Sequence, residues 1–438
     1  MERKMKDSGI EWIGEIPADF SLYKLKYLLS SPLCYGANES GTLYSDILPR
    51  YIRITDISPN GTLKNSGMLS LDESSAQNYM LHEGDILFAR SGATVGKSFI
   101  YHNYYGRAAY AGYLIKASFN RLVLPEFVYY YTCSSAYEIW KNSIFIQSTI
   151  QNIGADRYSN LPISVPNSID KQLRIVRYLN NFCSKFDAIV YNLQTSIEDY
   201  KKLKQAVITQ AITKGVRGER EMKDSGVAWI GEIPKEWDII KSSRIIKTTQ
   251  NGLSRRDLEK SEGQIILKLK NITSDGKIDY SFLNRITLSQ NELNTYALTT
   301  GDFLFVRVNG SKSLVGKCAI FEAISEIVAY NDHIIRVKLS NQCYNRFFLW
   351  YLYSCCGKAE IDLHTSTAAG QYTISGDGLR DITLVFPPID EQKEIADYLD
   401  AKCAEIDGLI AKKEQLVKEL ESYKKSLIYE VVTGKREV

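Results

Sequence analysis

The sequence predicts an α+β protein in which two homologous mixed α/β domains are separated by two long helices, which pair as an antiparallel coiled-coil spacer. The first observation is an internal repeat, because "MKDSGIEWIGEIP" at residues 5–17 returns as "MKDSGVAWIGEIP" at residues 222–234. Its period is far above the roughly 20 to 50 residues of a solenoid repeat, so it indicates a duplicated domain with its connector. The second observation is a long apolar helical pattern that closes each half.

The part of each half that precedes the helix has the pattern of strands and turns. Between about residues 18 and 160, short runs such as "YIRITDI" and "DILFAR" are separated by turn formers such as "PNG" and "HEGD". β-Branched and aromatic runs bounded by Gly, Pro, Asn and Asp are typical of strands. The second half repeats the pattern, for example in "ILKLKNITSDG" from Ile266. We therefore expect a mixed sheet in each domain.

Each half closes with apolar residues at spacings of three and four, which indicate a helix packed along another helix. The first helix is predicted over about residues 170–213, with apolar positions at Ile175, Leu179, Phe182, Phe186, Ile189, Leu193, Ile197, Tyr200, Leu203, Val207 and Ala211. The second carries Ile395, Leu399, Ile406, Leu409, Val417, Leu420, Tyr423, Leu427 and Val431. We expect the two helices to pair with each other; burial of both in an ordinary bundle is the alternative.

Composition argues against several other classes of protein. The apolar runs are much shorter than the roughly 20 residues of a membrane helix, and "MERKMKDSG" lacks a signal-peptide core, so the cytoplasm is the expected location. The eight cysteines form no CxxC pair and the four histidines are scattered, so no metal site is expected. A net charge of +3 is only a weak pointer to nucleic acid.

The segment "SGATVGKS" at residues 91–98 resembles a phosphate-binding loop, but only three residues separate Gly92 and Gly96. A loop that wraps a triphosphate needs four residues between its glycines. The surrounding "GDILFARSGATVGK" recurs as "GDFLFVRVNGSKSLVGK" at residues 301–317, with Cys318 in place of the final hydroxyl. The segment is therefore predicted to be part of the duplication, and the nucleotide-hydrolase interpretation is the weaker one.

Two similar domains on a helical spacer suit a ligand with two similar, separated sites. DNA is such a ligand, because pseudo-twofold proteins contact half-sites about one helical turn, roughly 34 Å, apart. The two halves share a frame and differ in detail. The expected DNA site is therefore split and asymmetric.

These features together resemble the specificity subunit of type I restriction-modification systems. The resemblance rests on the "WIGEIP" openings, the repeated "GD…VGK" segments and the helix entries "LPISVP…KQLRIVRYL" and "ITLVFPPIDEQKEIADYL", and it covers essentially the whole chain. The first helix entry departs from the "PPxxEQ" form, with "PNSIDKQ" in its place. The segments predicted on this basis are a first target-recognition domain at 1–160, a central helical region at 161–215, a second target-recognition domain at 216–382 and a C-terminal helical region at 383–438.

The resemblance implies that this chain recognises DNA and does not itself catalyse a reaction. It also implies that the helices set the spacer length and dock two methylation subunits, which a restriction subunit with motor and nuclease activity then joins. S-adenosylmethionine, ATP and Mg²⁺ are expected in those partners and no cofactor in this chain. The residues agree with this, since neither a methyltransferase [DNS]PP[YF] motif nor clustered nuclease carboxylates are found.

Loop residues with hydrogen-bonding or cationic side chains are the candidate DNA contacts, because base edges are read by such groups and phosphates are held by Lys and Arg. In the first half they are Arg90, Ser91, Thr94, Lys97, Gln147, Ser148, Thr149, Gln151 and Asn152. In the second half they are Arg307, Asn309, Ser311, Lys312, Lys317, His364, Ser366, Thr367 and Gln371, with Arg255 and Arg256 as phosphate contacts.

Three alternatives remain open at the level of sequence. A tandem DNA-binding scaffold or regulator without methyltransferase partners would share the same features. An enzyme, either a nucleotide hydrolase or an unrecognised nuclease, and a coiled-coil adaptor that binds only protein are the others.

Overall fold

Each half of the duplicated sequence folds into one unit, and the long helices contribute to both. The computed structural model describes residues 4–58, 61–92, 94–146, 152–255, 262–273, 275–368 and 370–438. Unit 1 comprises Met1–Gln194 with Glu414–Val438, and unit 2 comprises Thr195–Lys413. Within the described residues, no helix combines the length and the apolar character needed to cross a membrane.

Unit 1 is built on short strands, with its helices near the end of the domain. The strands are β1 Met5–Asp7, β2 Glu15–Pro17, β3 Phe20–Lys24, β4 Cys34–Tyr35, β5 Thr42–Leu43, β6 Arg50–Ile52, β7 Leu69–Ser70, β8 Ile86–Ala89, β9 Ser98–Ile100, β10 Ala108–Tyr110, β11 Leu114–Ala117 and β12 Pro162–Pro166. The helices are α1 Glu73–Ala76, α2 Pro125–Thr132, α3 Ser135–Ile146, α4 Ala155–Ser159 and α5 Ile169–Lys214.

Unit 2 repeats this plan. Its strands are β13 Met222–Asp224, β14 Glu232–Pro234, β15 Asp238–Lys241, β16 Ile246–Asn251, β17 Gln264–Leu267, β18 Asn284–Ile286, β19 Phe303–Val306, β20 Val308–Asn309, β21 Cys318–Ile320, β22 Val328–Tyr330, β23 Ile334–Leu339, β24 Ser366–Ala368, β25 Gln371–Thr373 and β26 Thr383–Phe386. Its helices are α6 Gln290–Tyr296, α7 Asn345–Tyr353, α8 Cys355–Leu363, α9 Gly376–Arg380 and α10 Ile389–Val432.

The sheets confirm the duplication and the predicted mixed topology. The order β4-β11-β8-β9 in unit 1 corresponds to β16-β23-β19-β21 in unit 2. β10 pairs with β6 in parallel and β22 pairs with β17 in parallel, whereas the other sheet pairings are antiparallel. The repeated "GD" directly precedes β8 in unit 1 and β19 in unit 2, which are equivalent inner strands of these two sheets.

A buried carboxylate explains that repeated "GD". Asp85 Oδ2 accepts a hydrogen bond of 2.9 Å from the backbone N–H of His82, and Asp302 Oδ2 accepts one of 2.9 Å from Thr299. Gly84 has a φ of +82°, which an L-residue with a side chain rarely adopts. The motif is therefore a tight turn into the sheet.

In unit 1 the first part of α5 packs antiparallel to the last part of α10. The carbonyl of Val432 lies 3.5 Å from Ser164 Oγ, just before α5 begins, while the ring of Tyr423 lies 5.8 Å from that of Phe186, further along α5. The predicted antiparallel pairing is thus confirmed within this unit.

In unit 2 the last part of α5 packs on the first part of α10. Tyr200 contacts Lys413 at 5.6 Å from the ring centre, and Lys204 Nζ lies 2.7 Å from Asp407. The residue number falls along α10 as it rises along α5, so the segments are antiparallel. α5 has 46 residues, which at about 1.5 Å per residue gives about 69 Å. Its observed bounds confirm the predicted helix over about 170–213.

The end of each long helix completes the core of a globular domain. In unit 1, Leu427 and Val431 of α10 are buried with Ile13 and Phe20. In unit 2 the corresponding core contains residues Ile208, Ile212, Ile230 and Trp237. Each unit therefore combines one globular domain with parts of both helices.

The domain boundaries predicted along the chain differ from this arrangement at the helix entries. β12 lies after the predicted boundary at residue 160, yet it pairs with β3 from Pro162 to Pro166. β26 follows residue 382 and pairs with β15 in the same way. The last strand of each domain therefore belongs to the globular part and not to the helical region.

Buried glutamines fix the start of each long helix to its domain. Gln172 Oε1 accepts from the N–H of Leu124 at 2.8 Å, and its Nε2 donates to the carbonyl of Leu122 at 3.0 Å. Gln392 does the same in unit 2, accepting from Tyr344 at 2.8 Å. This shared role explains why a glutamine ends both "DKQ" and "DEQ".

The residue before each glutamine differs, and its partners differ accordingly. Glu391 is 1% exposed; it accepts from Trp237 Nε1 at 2.9 Å and pairs with the guanidinium of Arg220. At the equivalent position in unit 1, Lys171 Nζ lies 2.6 Å from Asp19 Oδ2. Where "PNSIDKQ" has a lysine in place of the glutamate of "PPxxEQ", the ion pair has its charges reversed. The long helix carries the cation in unit 1 and the carboxylate in unit 2.

Candidate nucleic-acid interface

Arg90, the residue directly after β8, is the centre of the candidate site in unit 1. The Arg90 N–H donates to the carbonyl of Tyr113 at 3.0 Å, and the Arg90 carbonyl accepts from the N–H of Ile153 at 2.9 Å. Next to it, Ser91 and Asn152 form a β-bridge. Three segments far apart in sequence therefore meet at the end of β8.

The second domain repeats this arrangement around Arg307. Its N–H donates to the carbonyl of His333 at 2.8 Å, and its carbonyl accepts from Ile374 at 3.0 Å. In place of the isolated β-bridge of unit 1, unit 2 has a three-stranded sheet in the order β20-β25-β24. Arg307 and Arg90 are thus held by the same backbone hydrogen bonds in the two domains.

The loop at residues 91–97 is the turn of a hairpin between β8 and β9. The N–H of Lys97 donates to Thr94 at 3.0 Å, and that of Gly96 donates to Ala89 at 2.9 Å. Tyr137 of α3 donates its hydroxyl to the carbonyl of Gly96 at 2.6 Å. A phosphate-binding loop leads from a strand into a helix, whereas this one returns into an antiparallel strand. The nucleotide-loop alternative is therefore wrong, and Lys97 is exposed on the turn.

The corresponding turn in unit 2 holds most of its polar side chains in local contacts. Asn309 Oδ1 accepts from the N–H of Ser311 at 2.9 Å. Lys312 Nζ lies 3.7 Å from Asp362 of α8, and Lys317, which is half-buried, accepts at its carbonyl from Val306 at 2.7 Å. These residues lie along the turn that follows Arg307.

The predicted residues of "HTSTAAGQY" separate into two groups. Ser366 and Thr367 lie on β24 and Gln371 begins β25, so they belong to the small sheet beside Arg307. His364 ends α8, where its ring lies 3.7 Å from Glu360 and its side chain is 20% exposed. The structure therefore places the first group beside Arg307 and packs His364 against a buried carboxylate.

Some predicted contacts lie outside the described residues. They are Gln147, Ser148, Thr149, Gln151 and Arg256. Asn152 is described and exposed beside Ser91.

Two exposed aromatic residues beside Arg90 were not predicted from sequence. Tyr113 is 64% exposed and its backbone holds Arg90, while Tyr35 is 42% exposed at the end of β4. Aromatic side chains of this kind can stack on bases. The signal that could have found Tyr113 is its position in "AYAGYLIK", where His333 stands in the aligned "AYNDHIIR". The two domains thus differ in the side chains around a shared arginine.

Arg255, predicted as a phosphate contact, forms an ion pair within unit 2. Its Nη1 lies 2.8 Å from Glu292 Oε1 and 3.0 Å from Oε2. Glu292 also caps α6, because its Oε2 accepts from the N–H of Ser289 at 2.8 Å. To hold a phosphate, Arg255 would have to leave this carboxylate.

We expect Arg255→Ala to raise the pKa of Glu292. That pKa is lowered from 4.5 to about 2, first by the N–H of Ser289 and then by the Arg255 guanidinium. The Ser289 hydrogen bond remains in the variant, so the pKa should stay below 4.5. Since the folded pKa is depressed, this group stabilises the fold above about pH 4.5, and its contribution is lost as the pH falls toward about 2.

Carboxyl ¹³C NMR titration of Glu292 measures this pKa directly. Glu326, whose pKa is lowered by Arg285, serves as the control and should be unaffected by Arg255→Ala. An unchanged titration of Glu292 would show that Arg255 is not held by it in solution and is available for phosphate.

Each of the two homologous domains holds one arginine through the same backbone hydrogen bonds, and the side chains around that arginine differ between the domains. This arrangement is typical of a recognition protein with two binding domains. The family model of the type I restriction modification DNA specificity domain matches residues 44–199 and 234–419. The chain therefore belongs to this family, the DNA specificity domains of type I restriction modification.

Individual relatives agree with this assignment. The chain is 24% identical over 316 residues to the StySPI specificity subunit of Salmonella potsdam. This match covers 72% of this chain and 66% of that protein. It is 25% identical over 293 residues to the EcoKI specificity subunit of Escherichia coli K12. This match covers 66% of this chain and 61% of that protein. The matches span just under two thirds of the length of these two relatives.

A solved structure shows the same fold. A chain from a structural study of complex assembly and conformational transition of the type I R-M system superposes with a TM-score of 0.71 at 14% identity. The superposition covers 96% of this chain and 99% of that one.

Proposed function

We propose that each domain of this chain reads one half of a split, asymmetric DNA site, with Arg90 and Arg307 facing base edges. The observation that carries the proposal is the shared backbone frame of the two arginines, around which the neighbouring side chains differ. The shared backbone frame places the arginine at the same point of the fold in each domain. Different neighbours favour different bases, because specificity depends on which groups reach the base edges.

We further propose that the long helices dock two methylation subunits, which methylate adenine N6, and that a restriction subunit joins them for cleavage. Apolar side chains on these helices support this, since Tyr191 is 68% exposed and Ile189 is 46% exposed on the part of α5 within unit 1. Exposed apolar groups of this size are common at protein interfaces. The resemblance to type I specificity subunits supports the choice of these partners.

On this proposal the chain itself is not a catalyst. S-adenosylmethionine, ATP and Mg²⁺ would be bound by the partner subunits, and the complex would act in the cytoplasm, where the DNA lies. The support is the membership of a family of specificity subunits.

A base-resolution map of N6-methyladenine, made in the source organism with and without this gene, tests the proposal. We expect a split, asymmetric motif to lose methylation in both halves when the gene is deleted. Purification of the chain should also recover two methylation subunits. An unchanged map from cells that produce the protein, with no methylation subunits recovered, would favour the scaffold or regulator without methyltransferase partners.

A further inference from the structure

Arg90 has no hydrogen-bond acceptor for its side chain among the described residues. Its Nε is buried and unpaired. The guanidinium is a planar group with five N–H donors and no acceptor; since Nε is buried, the donors that a ligand could meet are those on the two Nη atoms of this partly buried residue. What holds this side chain in place in unit 1 must therefore be something other than a polar partner.

The ring of Tyr35 takes that role. The guanidinium carbon of Arg90 lies over the Tyr35 ring, 4.8 Å from its centre. The ring is itself fixed, because its hydroxyl accepts from the N–H of Ala155 at 3.0 Å and its backbone pairs with Ile115 of β11. A guanidinium on an aromatic face keeps its N–H groups, which lie in its own plane, free for other acceptors.

The second domain lacks this aromatic residue. Asn251 stands where Tyr35 does, since each precedes a glycine whose N–H donates to the neighbouring strand, Gly36 to Leu114 at 3.2 Å and Gly252 to Ile334 at 3.1 Å. Both glycines are required by a close approach, because a Cβ on Gly252 would lie 2.1 Å from the carbonyl oxygen of Asn331.

The side chain of Arg307 is held by a hydrogen bond instead. Its Nη1 donates to the carbonyl of Asp332 at 3.1 Å, so one of its donors is already used within the protein. The two arginines share a backbone frame, but the side-chain donors of Arg90 are free and those of Arg307 are partly occupied.

We propose that Tyr35 and Arg90 form a guanine-reading pair in the first domain, with Tyr35 as the positioning residue. Arginine contacts guanine O6 and N7 through two parallel N–H donors, and a fixed guanidinium makes that contact selective. The first half-site accordingly contains a G·C pair at the position that Arg90 reads. This inference rests on the proposed function and adds the base and the residue that orients its reader.

The test uses the full chain assembled with its methylation subunits and a DNA library randomised in both half-sites. Sequencing of the bound or methylated DNA gives the preference at every position. We expect the wild-type complex to require G·C at one position of the half-site that Arg90→Ala affects. Tyr35→Asn, which installs the residue of the second domain, should reduce that preference about tenfold and leave every other position unchanged.

Tyr35→Phe is the conservative variant. It keeps the ring face and loses only the hydroxyl bond to Ala155, so it should retain most of the guanine preference. Asn251→Tyr is the matched control, and it should leave the first half-site unchanged. A merely structural role for Tyr35 would lower binding to all sequences by the same factor.

Three results would overturn the inference: no G·C pair in that half-site, an unchanged preference in Tyr35→Asn, or a uniform loss of binding. Failure of the proposed function looks different. In that case the wild-type complex would itself show no preference in either half-site.

Discussion

Replacement of Arg90 by alanine is expected to weaken sequence recognition in one half-site while the other is read as before. A bidentate contact of arginine with a base contributes about 1–3 kcal/mol of discrimination, which corresponds to roughly 5- to 150-fold. Arg90 and Arg307 lie in separate units, each on its own frame of backbone hydrogen bonds. The loss of one contact should therefore not alter base preference in the other half.

Competition binding with DNA substituted in one half at a time measures this effect. Arg307→Ala should give the reciprocal result, with a smaller change because its Nη1 is already bonded to Asp332. Arg121, which is exposed on a turn of the first domain, provides the control, and its alanine variant should bind as the wild type does. Equal loss at both half-sites in Arg90→Ala would contradict independent reading by the two domains.

Glu391→Ala is expected to destabilise unit 2 by about 1–3 kcal/mol, the usual cost of leaving a buried hydrogen-bond donor without an acceptor. Glu391 is 1% exposed, and its carboxylate neutralises Arg220 and accepts the indole N–H of Trp237. Its removal leaves the indole N–H of Trp237 without an acceptor and takes one of two carboxylates from Arg220, which keeps Glu236 at 2.8 Å. The free energy of unfolding of unit 2, followed by hydrogen exchange of the backbone amides of its core strands in urea, should fall accordingly.

The equivalent position in unit 1 supplies the matched control. Lys171 pairs with Asp19, but Asp19 is 55% exposed, and exposed ion pairs contribute about 0–1 kcal/mol. Lys171→Ala should therefore have a small effect on the stability of unit 1. Comparable destabilisation by the two variants would show that the burial of Glu391 is not what makes its pair important.

The long helices and the duplication could be predicted because both are periodic signals within the sequence. The three-and-four spacing of Ile175, Leu179 and Phe182 reports burial against a second helix and does not depend on distant residues. The repeated "GD" is visible in the sequence as a repeat, whereas its role as a turn closed by Asp85 depends on the fold.

The shorter helices were harder to predict. α2 contains "PEFVYYYT", whose aromatic and β-branched residues favour strands by propensity. In the structure Phe127, Val128 and Tyr131 are fully buried on one face of the helix. Burial of these side chains in the domain core outweighs their preference for strands. Single-residue propensities do not include this burial, so they do not predict the helix.

Individual site residues depend on contacts between remote segments. Arg255 resembles a free cation in sequence, but its partner Glu292 comes from another part of the domain. Tyr35 precedes a glycine in an unremarkable strand, and only the fold brings it under Arg90. The composition of the loops predicts which loops are candidates for DNA contact. It does not predict which of their side chains are already paired within the protein.

The way α10 completes unit 1 affects how the chain can fold while it is being synthesised. Unit 2 is continuous from Thr195 to Lys413, but unit 1 needs Glu414–Val438, which are translated after unit 2. At about 5–20 residues per second, the first domain waits on the order of tens of seconds for Leu427 and Val431 to cover its core. The domain that is translated first is therefore finished second, and a message truncated before residue 414 would yield a complete second unit beside an open first one.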